Sequence, residues 1–586
     1  MNRKSLIGFA SALLCAAVFA DNVERTLWSA DDYYPGGKGR LQELQKEDPK
    51  KAVAGKVTYE FNIDKSGWHE LTISGSNSPR IWLDGKYVAH YLTQDKRDTD
   101  KKIGWKIKNL HLTTGNHKLQ IMSTQFPARL PDKWNLTEAS TPFQMIRAEF
   151  VSKDIMRLHE PTVIKLAGGA PDKELSFEII AENTLTEKQY ALAKSDFPKG
   201  YSERELKLHF PEEGVFRMYA KHGDTLSRPA DLGLGTVTII DTKNMSGVSK
   251  DVKKELLHDI DCVKLTDNGR QLSLGDGFWE AFGKTRVTTS TAGTYREGGD
   301  NLDPDVRVDK SNKKSKTGFS FDISVPEPQV PYLLEVEYPD DDRRTVNVII
   351  LADNDGPGLH YNQAHLGSGY ETGDYYPLTN KMQTHQVLFW ADTKKMRVAI
   401  MSMNPGMRSA ASRIRVYRLS AIPDGLGDKQ NGRIMAVWNE EPGRWWATMR
   451  SFNFGAQGGD MLRDFIGQRR TAEMCRYAGY NAINTTEACY QTPTWKSDEL
   501  EGWFSRGHDA PRMQALFCEK YGLSYIPELH LSAQGWFNKY TSHSISKNRD
   551  DILLYDRLGR KADPDNQGWN HAGTPSTPIS RTNTSR

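Results

Sequence analysis

The sequence is short of cysteine and of any excess charge. Its 586 residues include 5 cysteines, and 78 lysines and arginines stand against 75 aspartates and glutamates. So few cysteines cannot build a disulfide scaffold, and without a C-x-x-C pair no zinc ribbon is expected. The balanced charge argues against a nucleic-acid binder that works through bulk positive charge. We therefore expect no metal, no other cofactor and no nucleic-acid partner.

Long hydrophobic runs are also missing after the amino terminus. Arg3 and Lys4 precede an apolar stretch, residues 6–19, which ends at Ala20. A charged start, a short apolar segment and a small final residue are typical of a secretory signal peptide. The stretch is shorter than the run of about 20 residues that a membrane-spanning helix needs. We predict a signal peptide over residues 1–20, cleavage after Ala20, and a secreted or periplasmic protein with no membrane span.

Residues 21–152 show apolar and polar residues in alternation, the pattern of half-buried β-strands. Residues 57–63 are apolar at every second position, and Asp84-Gly85 is a strong signal for a tight hairpin turn. A second hairpin is expected between residues 110–112 and 118–121. Since no helical pattern of useful length interrupts these strands, we predict a β-sandwich.

Three segments of this region resemble the jelly-roll carbohydrate-binding modules, including the protective-antigen type. They are a G-W-x-x-L-x-I step at residues 67–73, a W-L-D-G-K hairpin at 82–86 and a T-T-G-N-H-x-L return at 113–119. The resemblance implies that an exposed tryptophan could stack on a sugar ring; the candidates are Trp68, Trp82, Trp105 and Trp134. Alternatively, these tryptophans fill the sandwich core, because aromatic side chains commonly do.

Two more β domains are expected downstream. Residues 153–245 carry short alternating strands with polar turns, which is typical of an immunoglobulin-like domain. Residues 256–421 form a second and larger sandwich, whose last strand is similar to that of carbohydrate-binding modules.

After residue 432 the periodicity changes from that of strands to that of helices. An apolar run at 433–438 precedes a helix at 460–478, a strand at 482–487, a helix at 509–521 and a strand at 523–531. The pattern Cys-x-x-x-Gly-x-x-x-Ile, which starts at Cys475, recurs 43 residues later at Cys518. The repeat indicates successive βα units and predicts that both cysteines are buried helix residues, without a disulfide between them.

Residues 478–484 and 521–530 resemble the start of a glycoside-hydrolase-type (β/α)₈ barrel. The module order, with sandwiches first and the barrel last, resembles large secreted polysaccharide-degrading proteins. A full barrel takes about 250 residues. We therefore expect a partial barrel at 433–562 and a disordered tail at 563–586, so that this chain is truncated and inactive while its intact parent is a hydrolase.

The repeat also suggests where a site would lie. Alternation from Ile483 and from Ile526 would place carboxylates on the inner face at the carboxyl ends of the strands, where barrels hold their active sites. Glycoside hydrolysis needs two carboxyl groups that flank the scissile bond. The candidate substrate-binding residues are Glu440, Glu487, Glu528, His530 and Trp536. No residue is assigned a catalytic role, because the resemblance implies an acid/base and a nucleophile on the fourth and seventh strands, and neither can be placed in this sequence. The sequence also has no nucleophile elbow, HExxH motif or phosphate loop.

The expected fold is multidomain: jelly-roll and immunoglobulin-like all-β sandwiches, followed by an incomplete, TIM-barrel-like α/β domain. The corresponding function is that of a secreted carbohydrate-active protein that binds a polysaccharide or oligosaccharide, with glycoside hydrolysis in the intact parent. The alternative is a non-catalytic glycan-binding or adhesion protein. Two carboxylates that converge at the barrel mouth would favour the enzyme, whereas aromatic side chains exposed only on the sandwiches would favour the binder.

Overall fold

The computed structural model is mostly β-sheet, in agreement with the expected sandwiches. The described residues are 22–29, 46–52, 54–75, 80–88, 92–95, 104–123, 128–131, 133–227, 232, 234–281, 283–299, 317–352, 366–391, 393–402, 404, 406–426, 433–439, 461–489, 492–495 and 508–529. The expected signal peptide and carboxyl-terminal tail lie outside these residues.

The first domain packs two antiparallel sheets around one core. Its strands are β1 (Asn22–Trp28), β2 (Ala54–Ile63), β3 (Gly67–Ser74), β4 (Arg80–Leu83), β5 (Lys86–Tyr87), β6 (Leu92–Asp95), β7 (Gly104–Leu112), β8 (Gly115–Ser123) and β9 (Lys133–Glu138). One sheet has the order β1-β2-β8-β4-β5 and the other β6-β7-β3-β9. Alternate side chains of both sheets, such as Phe61 and Ile73, are buried between them.

The hairpin predicted at Asp84-Gly85 is confirmed. Strand β4 pairs with β5, and both turn residues have positive φ, 51° and 77°. The hairpin expected between residues 110–112 and 118–121 is wrong, because β7 and β8 belong to different sheets. Their buried residues, such as Leu110 and Leu119, meet across the core. Alternation is the same whether two successive strands pair or face each other, so the sequence pattern could not tell these cases apart.

The second domain is also a two-sheet sandwich. Its strands are β10 (Ile146–Phe150), β11 (Ile155–Arg157), β12 (Thr162–Gly168), β13 (Leu175–Asn183), β14 (Gln189–Phe197), β15 (Ser202–Leu208), β16 (Gly214–His222), β17 (Thr225–Leu226) and β18 (Thr236–Ile240). The sheets run β10-β12-β15 and β11-β18-β16-β13-β14, with β17 beside β16. Phe177 and Phe216 are fully buried between them.

The third domain is the largest sandwich. Its strands are β19 (Val248–Ser249), β20 (Lys254–Asp261), β21 (Thr266–Asp267), β22 (Arg270–Gln271), β23 (Ser273–Leu274), β24 (Gly277–Ala281), β25 (Thr285–Ser290), β26 (Gly293–Gly298), β27 (Gly318–Ser324), β28 (Pro331–Pro339), β29 (Arg344–Ala352), β30 (Leu366–Thr372), β31 (Met382–Trp390), β32 (Lys395–Ser402), β33 (Ser409–Ala411), β34 (Arg413–Leu419) and β35 (Ile422–Pro423). Its two main sheets run β22-β21-β20-β34-β28-β31 and β23-β24-β27-β32-β29-β30.

The last described segment has α/β structure. It contains β36 (Ala436–Asn439), α1 (Met461–Ala478), β37 (Ala482–Cys489), β38 (Thr492–Pro493), α2 (Ala510–Tyr521) and β39 (Ser524–Leu529). Strands β36, β37 and β39 are parallel and lie side by side in the sheet in that order, while β38 pairs antiparallel with the end of β37.

Local signals account for where α2 begins and where both helices end. The side chain of Asp509 accepts a hydrogen bond from the amide of Arg512, so it caps the first turn of α2. Gly479 and Gly522 follow the two helices with φ of 80° and 62°, which glycine adopts without strain. Both predicted helices are thus confirmed, to within about a residue at either end. Cys475 and Cys518 are buried and free, as predicted.

Helices α1 and α2 form one layer between the parallel strands and the second domain. One hydrophobic core joins all three parts. Its members include Phe465 and Phe517 from the helices, Val437 and Ile483 from the parallel strands, and Ile155, Val215 and Ile240 from the second domain. The helices therefore bury apolar side chains on two sides at once.

Polar contacts fix this docking. The ammonium group of Lys520 lies 2.6 Å from Glu213 of the second domain, and the Lys520 side chain is only 1% exposed. The guanidinium of Arg512 donates to the carbonyl of Ile155 at 2.6 Å. Because Lys520 is almost fully desolvated, its contact with Glu213 has more effect on stability than a surface ion pair.

The substitution Lys520→Met should loosen α2, because it keeps the apolar stem but removes the charge that faces Glu213. We expect a loss of about 1.5–3 kcal/mol in the local stability of residues 510–521. This corresponds to roughly tenfold or faster amide exchange, measured by hydrogen–deuterium exchange mass spectrometry.

Lys254→Met is the matched control. Lys254 lies 3.3 Å from Glu335, but its side chain is 42% exposed, so less than about 1 kcal/mol should be lost around β20. If Lys520→Met accelerated amide exchange in α2 no more than Lys254→Met does around β20, the stabilising role of the Lys520 contact would be contradicted.

A buried histidine makes the third domain pH-sensitive. His258 contacts the carboxylate of Asp267 at 2.7 Å through Nδ1 and the carbonyl of Ser324 at 2.8 Å through Nε2. Burial disfavours the charged imidazolium, but these two partners outweigh it and raise the pKa of His258. The pair therefore stabilises the domain fully below the unfolded histidine pKa of about 6.5, and this stabilisation is lost as pH rises through the folded pKa.

Thermal unfolding should show this dependence. We expect the wild type to lose stability relative to His258→Gln as pH rises from about 6 to about 9. His385→Gln is the control of opposite sign, because burial lowers the pKa of His385 and its contribution to stability grows as pH rises. A difference between wild type and His258→Gln that does not change with pH would refute the assignment.

Candidate functional site

The register of the parallel strands determines which side chains share a face. Trp438 on β36 is opposite Asn484 on β37, and Thr486 is opposite Glu528 on β39. Directly opposed residues in a sheet point to the same side, and every second residue of a strand does too. These four residues and Ile526 therefore lie on one face, which we call the Trp438 face.

The other face is turned toward the helices. Val437 and Ile483 are buried in the core that α1 and α2 share, and Tyr525 packs against that core. Since the helix layer covers this side of the strands, the polar and aromatic groups that remain accessible lie on the Trp438 face.

A tryptophan and a carboxylate form the centre of the Trp438 face. The indole Nε1–H of Trp438 donates to Oε2 of Glu528 at 2.8 Å, and the hydroxyl of Thr486 donates to the same oxygen at 3.3 Å. Trp438 is 51% exposed, whereas Thr486 is buried. The carboxylate is thus oriented by two donors from neighbouring strands, and about half of the indole surface stays open to solvent.

Glu487 lies elsewhere. Its carboxylate is 3% exposed and accepts hydrogen bonds from the hydroxyls of Tyr525 and Thr494. Burial raises the pKa of Tyr525, so its phenol stays protonated and donates. Glu487 therefore ties the strands β37 and β39 to the residue after β38.

The expectation that Glu487 and Glu528 share a face is wrong. The sequence repeat aligns Ile483 with Ile526, but the observed register pairs Ile483 with Tyr525. A shift of one residue moves every side chain of a strand to the opposite face. Glu487 consequently lies on the helix side of the sheet and Glu528 on the Trp438 face.

Three of the candidate residues cannot be placed. Glu440, His530 and Trp536 lie outside the described residues. Within the described part, Glu528 lies near the carboxyl end of the parallel strand β39, and it contacts a residue that was not singled out as a site, Trp438. A signal for Trp438 was available, because Val437 and Trp438 are neighbours on a strand and must face opposite sides.

The tryptophans of the first domain are mostly packing residues. Trp68 is buried, and its indole donates to the carbonyl of Gly169 in the second domain at 3.0 Å. Trp105 and Trp134 pack against the sandwich core, and Trp82 is half-buried on β4. Trp68 thus helps to hold two domains together, which leaves it little surface for a sugar.

Among the described residues, no group of three or more histidine, cysteine, aspartate or glutamate side chains could hold a metal ion. No described helix is long and apolar enough to cross a membrane.

No family model and no curated protein matches the sequence. Among solved structures, a calcium-binding mutant of Bacteroides uniformis β-glucuronidase 2 is 10% identical, with 47% of this chain and 30% of that chain covered and a TM-score of 0.17. An exo-β-1,3-galactanase from Phanerochaete chrysosporium is 10% identical, with 62% and 78% covered and a TM-score of 0.17. A carbohydrate-binding module of the β-sandwich superfamily is 8% identical, with 48% and 99% covered and a TM-score of 0.13.

The match to the β-glucuronidase spans less than a third of that enzyme's length.

Proposed function

We propose that this chain is a secreted carbohydrate-active protein that binds a polysaccharide or oligosaccharide on the Trp438 face. The single observation that carries the proposal is the contact between the half-exposed indole of Trp438 and the carboxylate of Glu528. The apolar C–H face of a pyranose can stack on such an indole, and its hydroxyl groups can donate to an oriented carboxylate. Export would follow from the signal peptide expected before residue 21.

Binding is supported better than hydrolysis. Hydrolysis needs two carboxyl groups, about 5–5.5 Å apart for retention and about 6.5–9.5 Å apart for inversion. In the part of the chain that the structure describes, the Trp438 face carries one carboxylate, Glu528, because Glu487 is buried on the opposite face. A binding protein needs no second carboxylate, so non-catalytic glycan binding or adhesion is compatible with the same face.

Glycoside hydrolysis in a (β/α) barrel is the second candidate function. Strands β36, β37 and β39 are parallel and lie side by side in the sheet. Along the chain, α1 connects β36 to β37, and α2 lies between β37 and β39. A barrel of this class is built from such units, and its active site lies at the carboxyl ends of the strands. Glu440 and His530 follow strands β36 and β39 directly, so they are the residues to test as further groups of that site.

The binding proposal is tested by screening the full chain on a printed array of neutral and acidic oligosaccharides. We expect the wild type to bind at least one saccharide. Trp438→Ala should weaken that binding by about 1.5–3 kcal/mol, roughly tenfold to a hundredfold, because it removes the stacking surface. Amide exchange of residues 510–529 would check that the segment stays folded.

The role of the carboxylate is tested with Glu528→Gln, which keeps an acceptor for the indole but removes the charge. It should also weaken binding, whereas Glu255→Gln makes the same charge change on an exposed residue of β20 and should have no effect. An array without any signal above the albumin background, or equal binding by wild type and Trp438→Ala, would contradict the proposal. Release of reducing sugar by the wild type from a bound saccharide, lost in Glu528→Gln, would support hydrolysis.

A further inference from the structure

Two neighbouring tyrosines protrude from the third domain. Tyr375 is 88% exposed and Tyr376 is 83% exposed, the highest values among the large hydrophobic side chains of the described residues. They lie in the connection between β30 and β31, residues 373–381. Each of these strands is the edge strand of one main sheet, so the connection, which we call the tyrosine loop, crosses from one sheet of the sandwich to the other.

The tyrosine loop is anchored at both ends. Gly373 has φ of 69°, and a Cβ atom there would lie 3.1 Å from the Cα of Arg343. The loop therefore passes close to the turn between β28 and β29, residues 340–343. At the other end the carboxylate of Asp340 accepts from the amide and the hydroxyl of Thr379, at 2.9 and 2.7 Å. The amide of Asn380 donates to the carbonyl of Asp340 at 2.9 Å.

The turn at residues 340–343, against which the loop lies, is held by contacts of its own. The guanidinium of Arg344, which is buried, donates to Asp341 at 2.9 Å and to the phenol of Tyr295 at 3.1 Å. The hydroxyl of Thr372 donates to the carbonyl of Asp342 at 2.6 Å. The tyrosines are therefore presented by a framework of buried contacts, and their exposure is part of the folded structure.

A proline restricts the backbone of the loop further. Pro377 follows Tyr376 and disfavours helical backbone angles at Tyr376. A preorganised loop loses little conformational entropy when it binds a ligand. Two adjacent, highly exposed aromatic side chains form an apolar patch of the kind that often marks a binding site.

The size and polarity of this surface favour a saccharide. Two tyrosine side chains offer about 300–500 Å², well below the roughly 800 Å² that each partner buries in a stable protein interface. Beside them lie Arg343 and Asp374, which form an exposed ion pair at 3.4 Å and together carry no net charge. Flat apolar faces flanked by hydrogen-bond donors and acceptors match the C–H face and hydroxyl rim of a sugar ring.

We propose that Tyr375 and Tyr376 form a second saccharide-binding site, on the third domain, which takes a neutral oligosaccharide segment by stacking. The site shares no residue with the Trp438 face, so the two binding proposals can be confirmed or refuted independently. A chain with both sites would grip a long polysaccharide at two points, and its avidity would exceed the affinity of either site.

Affinity electrophoresis of the full chain tests the proposal, in native gels that contain hydroxyethylcellulose, laminarin, xylan or galactan. Retardation by at least one of these neutral polysaccharides is expected for the wild type. Tyr375→Ala with Tyr376→Ala should weaken that binding about tenfold, since both stacking faces are lost. Tyr375→Phe with Tyr376→Phe keeps the rings and should stay within about threefold of the wild type.

Leu274→Ala is the control for removing an exposed apolar side chain from the same domain, and it should change nothing. The two sites are separated by repeating the measurement in Trp438→Ala, where residual retardation should persist and disappear when the tyrosines are also replaced. Loss with Trp438→Ala alone would overturn the tyrosine site and leave the Trp438 face.

Two other outcomes would overturn the tyrosine site. One is a double alanine variant that is retarded like the wild type in every gel. The other is a concentration-dependent dimer in analytical ultracentrifugation that the double alanine variant abolishes while retardation is unchanged, because the tyrosines would then contact a second copy of the chain.

Discussion

The arrangement of the last described segment depends on the helix layer formed by α1 and α2. One hydrophobic core connects these helices to the parallel strands on one side and to the second domain on the other. Buried polar contacts such as Lys520 with Glu213 fix the orientation of this docking. With the helix side of the sheet occupied, the Trp438 face is the side on which an indole and a carboxylate are accessible together. The domain interface and the candidate site are therefore consequences of the same packing.

Much of this segment could be predicted from sequence because its signals are local. Asp509, Gly479 and Gly522 act within a turn of the helix ends, and the predicted helix bounds agree with the structure to within one residue. The faces of the strands were not, because they depend on register. Three residues connect α1 to β37 but only two connect α2 to β39, so a repeat aligned on the helices is one residue out of step in the strands. This difference of one residue places Glu487 and Glu528 on opposite faces of the sheet.

In the β-sandwich domains, too, the features that depend on non-local contacts could not be predicted from the sequence. Alternation correctly predicted that the described part of these domains is built of β-strands, but it carries no information on which strands pair within a sheet and which face each other across the core. Nor could composition tell a stacking tryptophan from a packing one: Trp68 is used between domains, while Trp438 is half open to solvent. The exposure of Tyr375 and Tyr376 could not be predicted from the sequence pattern. It depends on the contact between Asp340 and Thr379, which are distant along the chain, and on the backbone conformation of Gly373.

The proposed function places a saccharide against the Trp438 face. A crystal structure of the full chain, grown with the oligosaccharide that binds most strongly on the array, tests this directly. We expect a sugar ring stacked on the indole of Trp438, with a hydroxyl group donating to the carboxylate of Glu528. An occupied saccharide site elsewhere, with the Trp438 indole still facing solvent, would contradict it.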